Sequence, residues 1–449
     1  MPRLPALLIP VAALLCPQAG AAPRAAWAQA EQVALEQAAP TAAASDPALQ
    51  ALLDRARAES PAVRATHADW QAAVMRVGGA GRLPEPTLSV GVFVQPVETR
   101  VGAQQGRVSL QQGTPWPTAL GAQRDGAQAQ ALAARARHDA TTLSVTGEVR
   151  RRYWTLWEVR AAQRVHRSHL DVLDGLARSL RARVAVGAAS LADVQQVDLS
   201  RARLADALAS MEAAERSAEA AVRAAVGLDP QAPVPTGAEG PPLAVPALDT
   251  GALIALAQAH PLLAESTARS AAADAHLRGA NAQRLPGFMV GVDWIPTAPA
   301  AMPDVEDSGK DAVMVGVGLR LPLWQRSYAA QVSAARATQA AEAARLDGAA
   351  DRVAAGVVDA AARVRDGARR VRVVERTLLV QAEATYSSLL GAMTVGQAST
   401  AQVLLAQRDL LELRIDADRS RAALARAWAD LDERCGAPVP RTAPPGDAP

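Results

Sequence analysis

Val186-Gly187-Ala188-Ala189-Ser190 closes a run of roughly seventy residues without an internal proline, and Val395-Gly396-Gln397-Ala398-Ser399 closes another about 200 residues later. In each, a glycine supplies the positive φ that turns a helix back on itself, and small residues follow. After each turn the apolar spacing becomes strictly heptad. Val194, Val197, Arg201, Leu204, Leu208, Met211, Glu215, Ala218 and Val222 advance by alternating steps of three and four. Val403, Ala406, Leu410, Leu413, Ala417, Ser420, Leu424, Ala427 and Leu431 repeat the register. The arms entering the turns match, with Leu170, Leu173, Ala177, Leu180 and Val184, then Leu379, Ala382, Tyr386, Leu389 and Met393. Such spacing on both arms predicts two antiparallel helical hairpins. At 1.5 Å per residue, the run from Pro117 to Val186, with no proline after the first residue, would reach roughly 100 Å.

Working outward, other landmarks also occur twice. Glu59-Ser60-Pro61 returns as Ala259-His260-Pro261, and Arg82-Leu83-Pro84 as Arg284-Leu285-Pro286. Each half reads helix, strand, strand, long helix, turn, helix, which favours a pseudo-symmetric structural body over one asymmetric catalytic cleft. The reading gives a signal segment at 1–30, a loose stretch at 31–45 and a first repeat at 46–228. A Pro- and Gly-rich connector at 229–246, a second repeat at 247–435 and a disordered tail at 436–449 complete it. A single helix is expected over 46–81, ended by the glycines at 78, 79 and 81.

Between helices the period falls to two. Leu88, Val90, Val92 and Val94 alternate with Thr87, Ser89, Gly91 and Phe93, and Val108 and Leu110 with Arg107, Ser109 and Gln111. Phe288, Val290, Val292 and Trp294, then Val313, Val315, Val317, Leu319 and Leu321, repeat the pattern. One face is oily and the other small or polar, which suits strands crossing a bilayer around a wet lumen. Trp116 and Trp324, closing the second strand of each hairpin, fit an interfacial girdle. Four strands cannot close a barrel, because open edges in lipid leave backbone groups unsatisfied. Membrane strands in this number require several chains to share one barrel, and three chains would give twelve strands.

Composition agrees. Of 449 residues half are apolar, yet Phe, Trp and Tyr together make only 3%, as in bodies of closely packed helices. A net charge of +2 carries no basic field for nucleic acid. Arg3, the apolar run over 4–15 and the site Ala28-Gln29-Ala30 read as a secretory signal, with Cys16 as a candidate for lipidation. No later run reaches the ~20 apolar residues of a spanning helix. His166 and His169 lie three apart on a helix, but no third ligand stands at a metal-site spacing, and His67, His138, His260 and His276 form no ligand pattern. The acidic stretch Asp304-Val305-Glu306-Asp307 reads as a solvated loop.

On these residues the chain resembles the TolC-like outer-membrane efflux proteins over about 46–435. The resemblance rests on the duplicated order, on Leu83-Pro84-Glu85-Pro86-Thr87-Leu88-Ser89 leading into the first strand, and on the two turns, which look like the family's periplasmic tip motif. It implies a mainly α protein with a transmembrane β-barrel, a homotrimer of twelve strands above a long periplasmic α-helical barrel. It further implies an outer-membrane exit duct that does no chemistry, uses no cofactor, and works with a periplasmic adaptor and an inner-membrane pump of the resistance-nodulation-division type. Residues 83–121 look closest to members paired with heavy-metal pumps, so the cargo would be metal cations or drugs. Adaptor docking would fall on the turn residues Val186, Gly187, Ala188, Ala189, Ser190, Val395, Gly396, Gln397, Ala398 and Ser399. Asp193 matches the family's acidic tip gate, where the second repeat has Gln402. The alternative is a periplasmic adaptor, which also carries a heptad hairpin but needs only one and no lipid-facing strands.

Overall fold

The computed structural model describes residues 46–241 and 247–441. The signal, Cys16, the stretch at 31–45, part of the connector and the tail beyond 441 lie outside the described residues.

The chain folds as α1 (Pro47–Glu59), α2 (Pro61–Gly79), β1 (Thr87–Thr99), β2 (Gly102–Thr114), α3 (Pro117–Ala185) and α4 (Leu191–Val226). It continues with α5 (Thr250–Ala257), α6 (Pro261–Ala282), β3 (Gly287–Ile295), β4 (Ala312–Arg320), α7 (Gln325–Val373), α8 (Leu379–Thr394) and α9 (Thr400–Cys435). The order of elements is the same in both halves. The single helix expected over 46–81 is instead two, because Pro61 has no N–H to give and Ser60 before it is held extended at φ −56°, ψ 127°. Pro261 opens α6 in the same way behind His260. Between α7 and α8 one π-helical turn, Val374–Leu378, interrupts an otherwise continuous descent.

At 69 residues, α3 spans about 100 Å and forms the spine, packing on α1, α2, α4, α6 and α9. Three buried clusters line it and its partner α9. The first joins Leu49, Leu52 and Leu53 to Tyr153, Leu156 and Trp157 and to Val222 and Val226. A second joins Val357, Val364 and Leu431 around Trp428. The third lies near the helical turns and joins both hairpins, with Leu173, Leu180, Val194 and Val197 against Met393 and Val403. Every heptad residue named above is buried or half-buried, so the three-four spacing does mark the packed face.

The packed chain runs beyond Cys435 into the segment expected as a loose tail. Val439 is buried, its N–H bonds to the buried Asp432 at 2.9 Å, and Arg441 pairs with the same carboxylate at 2.8 Å. Arg150 on α3 supplies a second cation at 3.2 Å. A carboxylate this buried requires such partners, and they pin residues 436–441 to the helices.

The strands form one antiparallel sheet in the order β1-β2-β3-β4. Its register sets Leu88, Leu110, Val292 and Val315 in one row and Val90, Val108, Trp294 and Val313 in another. The opposite face carries the rows Ser89, Ser109, Asp293 and Met314, and Thr87, Gln111, Gly291 and Gly316. The alternation read from each strand thus stays in phase across all four. Most of the oily face lies bare in the described chain: Val90 is 69% exposed, Val315 70% and Val317 79%.

Candidate functional site

Two regions of this fold have the makings of a functional surface, the helical turns and the sheet. Each turn begins as a helix end with unpaired carbonyls. In the first, Gly187 takes φ 77°, its N–H bonds to the Val184 carbonyl at 3.0 Å, and the Ala188 N–H reaches back to Arg183 at 2.8 Å. In the second, Gly396 takes φ 78°, with the same pair of bonds to Met393 and Ala392 at 3.2 and 2.9 Å. These are paired Schellman closures. A Cβ at either glycine would meet nothing within 4 Å, so the backbone conformation, not crowding, requires glycine.

The helices leaving the turns are capped with equal care. Ser190 accepts from the Asp193 N–H at 3.2 Å, and the Asp193 carboxylate accepts from the Ser190 N–H at 3.0 Å and its hydroxyl at 2.7 Å. Ser399 and Gln402 make the same capping box, at 3.3 and 2.9 Å. Asp193 and Gln402, read from sequence as gate positions, therefore bond to their own helix starts. Bonds from the Ser190 side chain first, then Thr400, hold the Asp193 carboxyl below the usual carboxylate range, so it keeps its charge. Gln402 adds none.

The two turns meet. Arg183 donates to the Met393 carbonyl at 3.3 Å, and Ala189 and Ala398 pack half-buried against the shared apolar cluster. Ala189 and Ala398 are thus part of the packing, while Ala188 and Gln397 stay exposed. Larger apolar side chains face outward too: Val186 is 78% exposed, Val395 70% and Leu191 64%. Sequence reasoning missed Leu191, which holds no special place in the turn pattern.

In the sheet, Trp324 is 77% exposed, as an interfacial girdle asks, whereas Trp116 is half-buried and stacks on Phe288 with centroids 5.6 Å apart. On the polar face Arg107 pairs with Asp293 through a hydrogen bond of 3.0 Å and an ion-pair contact of 2.8 Å, joining β2 to β3 and so one half of the chain to the other. In the loop between β3 and β4, Asp307 is paired with Lys310 at 3.4 Å.

The histidines fall apart as a ligand set. His166 turns its Nδ1 to the Ala162 carbonyl at 2.8 Å, and His169 is buried with neither ring nitrogen hydrogen-bonded among the described residues. Burial first, then the nearby Arg414 and His166, lowers the His169 pKa to about 4. His260 is a helix cap: its Nδ1 accepts from the Leu262 N–H and its Nε2 bonds the Glu433 carbonyl, each at 3.0 Å. His67 and His138, 71 positions apart, do come together beside Trp70, with imidazole centroids at 5.4 Å. Only the packing of α2 on α3 reveals that pair.

Residues 52–228 match the family model described as outer membrane efflux protein. Comparison with curated proteins found no match. Among solved structures, the outer membrane protein VceC from Vibrio cholerae is 20% identical, with a TM-score of 0.70 over 87% of this chain and 97% of that one. The MtrE outer membrane channel of Neisseria gonorrhoeae, solved in its open state, is 15% identical, with a TM-score of 0.71 over 88% of this chain and 91% of its own. CusC, a protein that forms a transmembrane channel, is 14% identical, with a TM-score of 0.72 over 87% and 92%. At such identities the likeness is one of fold, and it runs well beyond the stretch that the family model matches.

Proposed function

We propose that this chain is a member of the TolC-like outer-membrane efflux protein family and serves as the exit duct of a tripartite efflux system. It belongs to the outer membrane, with its helical body in the periplasm. In the proposed assembly it is a homotrimer joined by a periplasmic adaptor and an inner-membrane pump of the resistance-nodulation-division type.

The observation that carries this reading is the sheet. Four strands carry a mainly apolar face, a face of small and polar residues, and unpaired edges at β1 and β4. Edges of that kind cannot stay open in lipid, and pairing β4 of one chain with β1 of the next satisfies both. Three copies give a twelve-stranded barrel, and the helices below, two hairpins per chain, would continue it as a periplasmic tunnel. The repeats at 46–228 and 247–435 then act as alternate staves of one wall, joined at 229–246. A periplasmic adaptor has no use for such an exposed apolar sheet.

Docking of the adaptor falls at the two turns, 186–190 and 395–399. Their glycines and capping serines shape the surface, while Val186 and Val395 supply exposed apolar contact. Three Asp193 carboxylates, one per chain, would make a single acidic ring there in place of a doubled one. Cargo, metal cations or drugs on the resemblance, is selected by the pump. The duct conducts passively.

Deleting the chain from cells that retain pump and adaptor tests this role. The deletion is expected to raise accumulation of a pump substrate, and re-expression to restore export. Unchanged accumulation would contradict the proposal.

A further inference from the structure

Within the regular part of the sheet, charged side chains stand on the polar face alone: Arg107 on β2, Asp293 on β3 and Arg320 at the end of β4. Glu98 lies beyond the register break in β1, near the outer turn. Arg107 and Asp293 are not equally placed. Asp293 is 7% exposed and Arg107 45%, so the carboxylate is covered and the guanidinium faces the open side.

The bonding explains what that exposure offers. Asp293 takes the Nε of Arg107 at 3.0 Å and the Nη2 at 2.8 Å, the side-on edge of the guanidinium. Nη1 and the outer hydrogen of Nη2, the end-on edge, have no acceptor among the described residues. The Nε hydrogen bond and the Nη2 ion-pair contact together orient the group, and its other edge is left toward the open side. It has the geometry that accepts a carboxylate or phosphate through two hydrogen bonds. Directly across the ladder the face is open. Gly91 lies directly opposite Arg107 in the register, and a Cβ at Gly91 would meet nothing within 4 Å.

Given the duct reading above, on which this rests, we propose that Arg107, aimed by Asp293, is a contact point in the barrel lumen for carboxylate or phosphate groups of passing solutes. The barrel then favours anionic and zwitterionic cargo over free metal cations, which runs against the heavy-metal expectation. An ion pair that merely tied β2 to β3 would hold the strands equally well but would leave no charge preference in the water beside it.

The test replaces the glycine opposite Arg107 by cysteine (Gly91→Cys) in the full-length protein assembled in outer membranes. Cys435 is buried with its thiol pushed up to about 11, so it stays silent. Labelling rates are measured with an anionic sulfonatoethyl and a cationic trimethylammonioethyl methanethiosulfonate, each normalised to a free thiol. The anionic reagent is expected to be favoured. Adding Arg107→Gln should shift the ratio about threefold or more toward the cation, the effect of one unit charge several ångströms away in water. Combining Arg107→Gln with Asp293→Asn should abolish the preference, and citrate at matched ionic strength should slow labelling only where Arg107 is present. Equal rates for the two reagents with Arg107 present, or a ratio unmoved by Arg107→Gln, would overturn the contact while leaving the duct standing. Failure of either reagent to reach the introduced thiol before denaturation would overturn the contact and the water-filled lumen together.

Discussion

Replacing Val315 by arginine should block membrane assembly, while the same change one residue later should not. Val315 is 70% exposed, lies near the middle of the nine-residue strand β4, and sits in a row with Leu88, Leu110 and Val292. If that row faces lipid near the bilayer midplane, an arginine there costs about 2–4 kcal/mol per chain. Three copies in one barrel make roughly 6–12 kcal/mol, comparable to the whole stability of an ordinary domain. Gly316 faces the other way, and a Cβ there would meet nothing within 4 Å. Gly316→Arg would place its charge in the lumen, where water solvates it. Both variants are expressed with the wild type, and outer-membrane fractions are assayed for the trimer that resists unheated detergent gels. The expected result is loss of the Val315→Arg trimer with Gly316→Arg near wild-type level. Because a strand alternates with period two, the reverse order would mean that the faces are inverted. Equal assembly of both would mean that the strand does not touch lipid.

The remaining expectations concern the helical body. Val186→Glu with Val395→Glu should leave the melting temperature of the trimer unchanged but remove cross-linking to the adaptor, whereas Ala189→Leu or Ala398→Leu should lower stability by disturbing the packed turn. Gly187→Val and Gly396→Val should each cost roughly 1–2 kcal/mol, since a β-branched residue resists the left-handed conformation, and Gly187→Asn should cost much less; thermal melts compare them. His169 titrates near 4 in the fold against about 6.5 when unfolded, so its neutral form is favoured and stability is complete above pH 6.5 and lost as pH falls toward 4. Between pH 7 and 5 the loss is about 2 kcal/mol per chain, and His169→Leu should flatten that part of the stability profile.

How much of this was legible in the sequence depended on whether a feature is local. The strands were, because Val313 to Leu321 alternate without interruption, and their faces follow from period alone. The hairpin arms were, because Val194 to Val222 keep one register over four heptads. The break at Ser60-Pro61 could have been read, since Pro261 stands at the same place in the second half; the apolar spacing on either side hid it. Asp193 and Gln402 each stand three residues after a serine, the spacing of a capping box, so their cap role was also legible. Other features depend on partners far along the chain. Ala189 and Ala398 read as small residues left open for a docking partner, yet both pack against an apolar cluster that the two hairpins share. Arg107 and Asp293 are 186 residues apart, and no local pattern pairs them. The π-helical turn at Val374–Leu378 has no sequence mark that we recognise.

The central claim is that three chains share one barrel. Native mass spectrometry of the protein extracted from outer membranes in mild detergent tests it most directly. The account requires a species of three chains that persists until the detergent-resistant fold is lost on heating. A single chain that stays membrane-inserted and fully folded, with its four-stranded sheet intact, would contradict it.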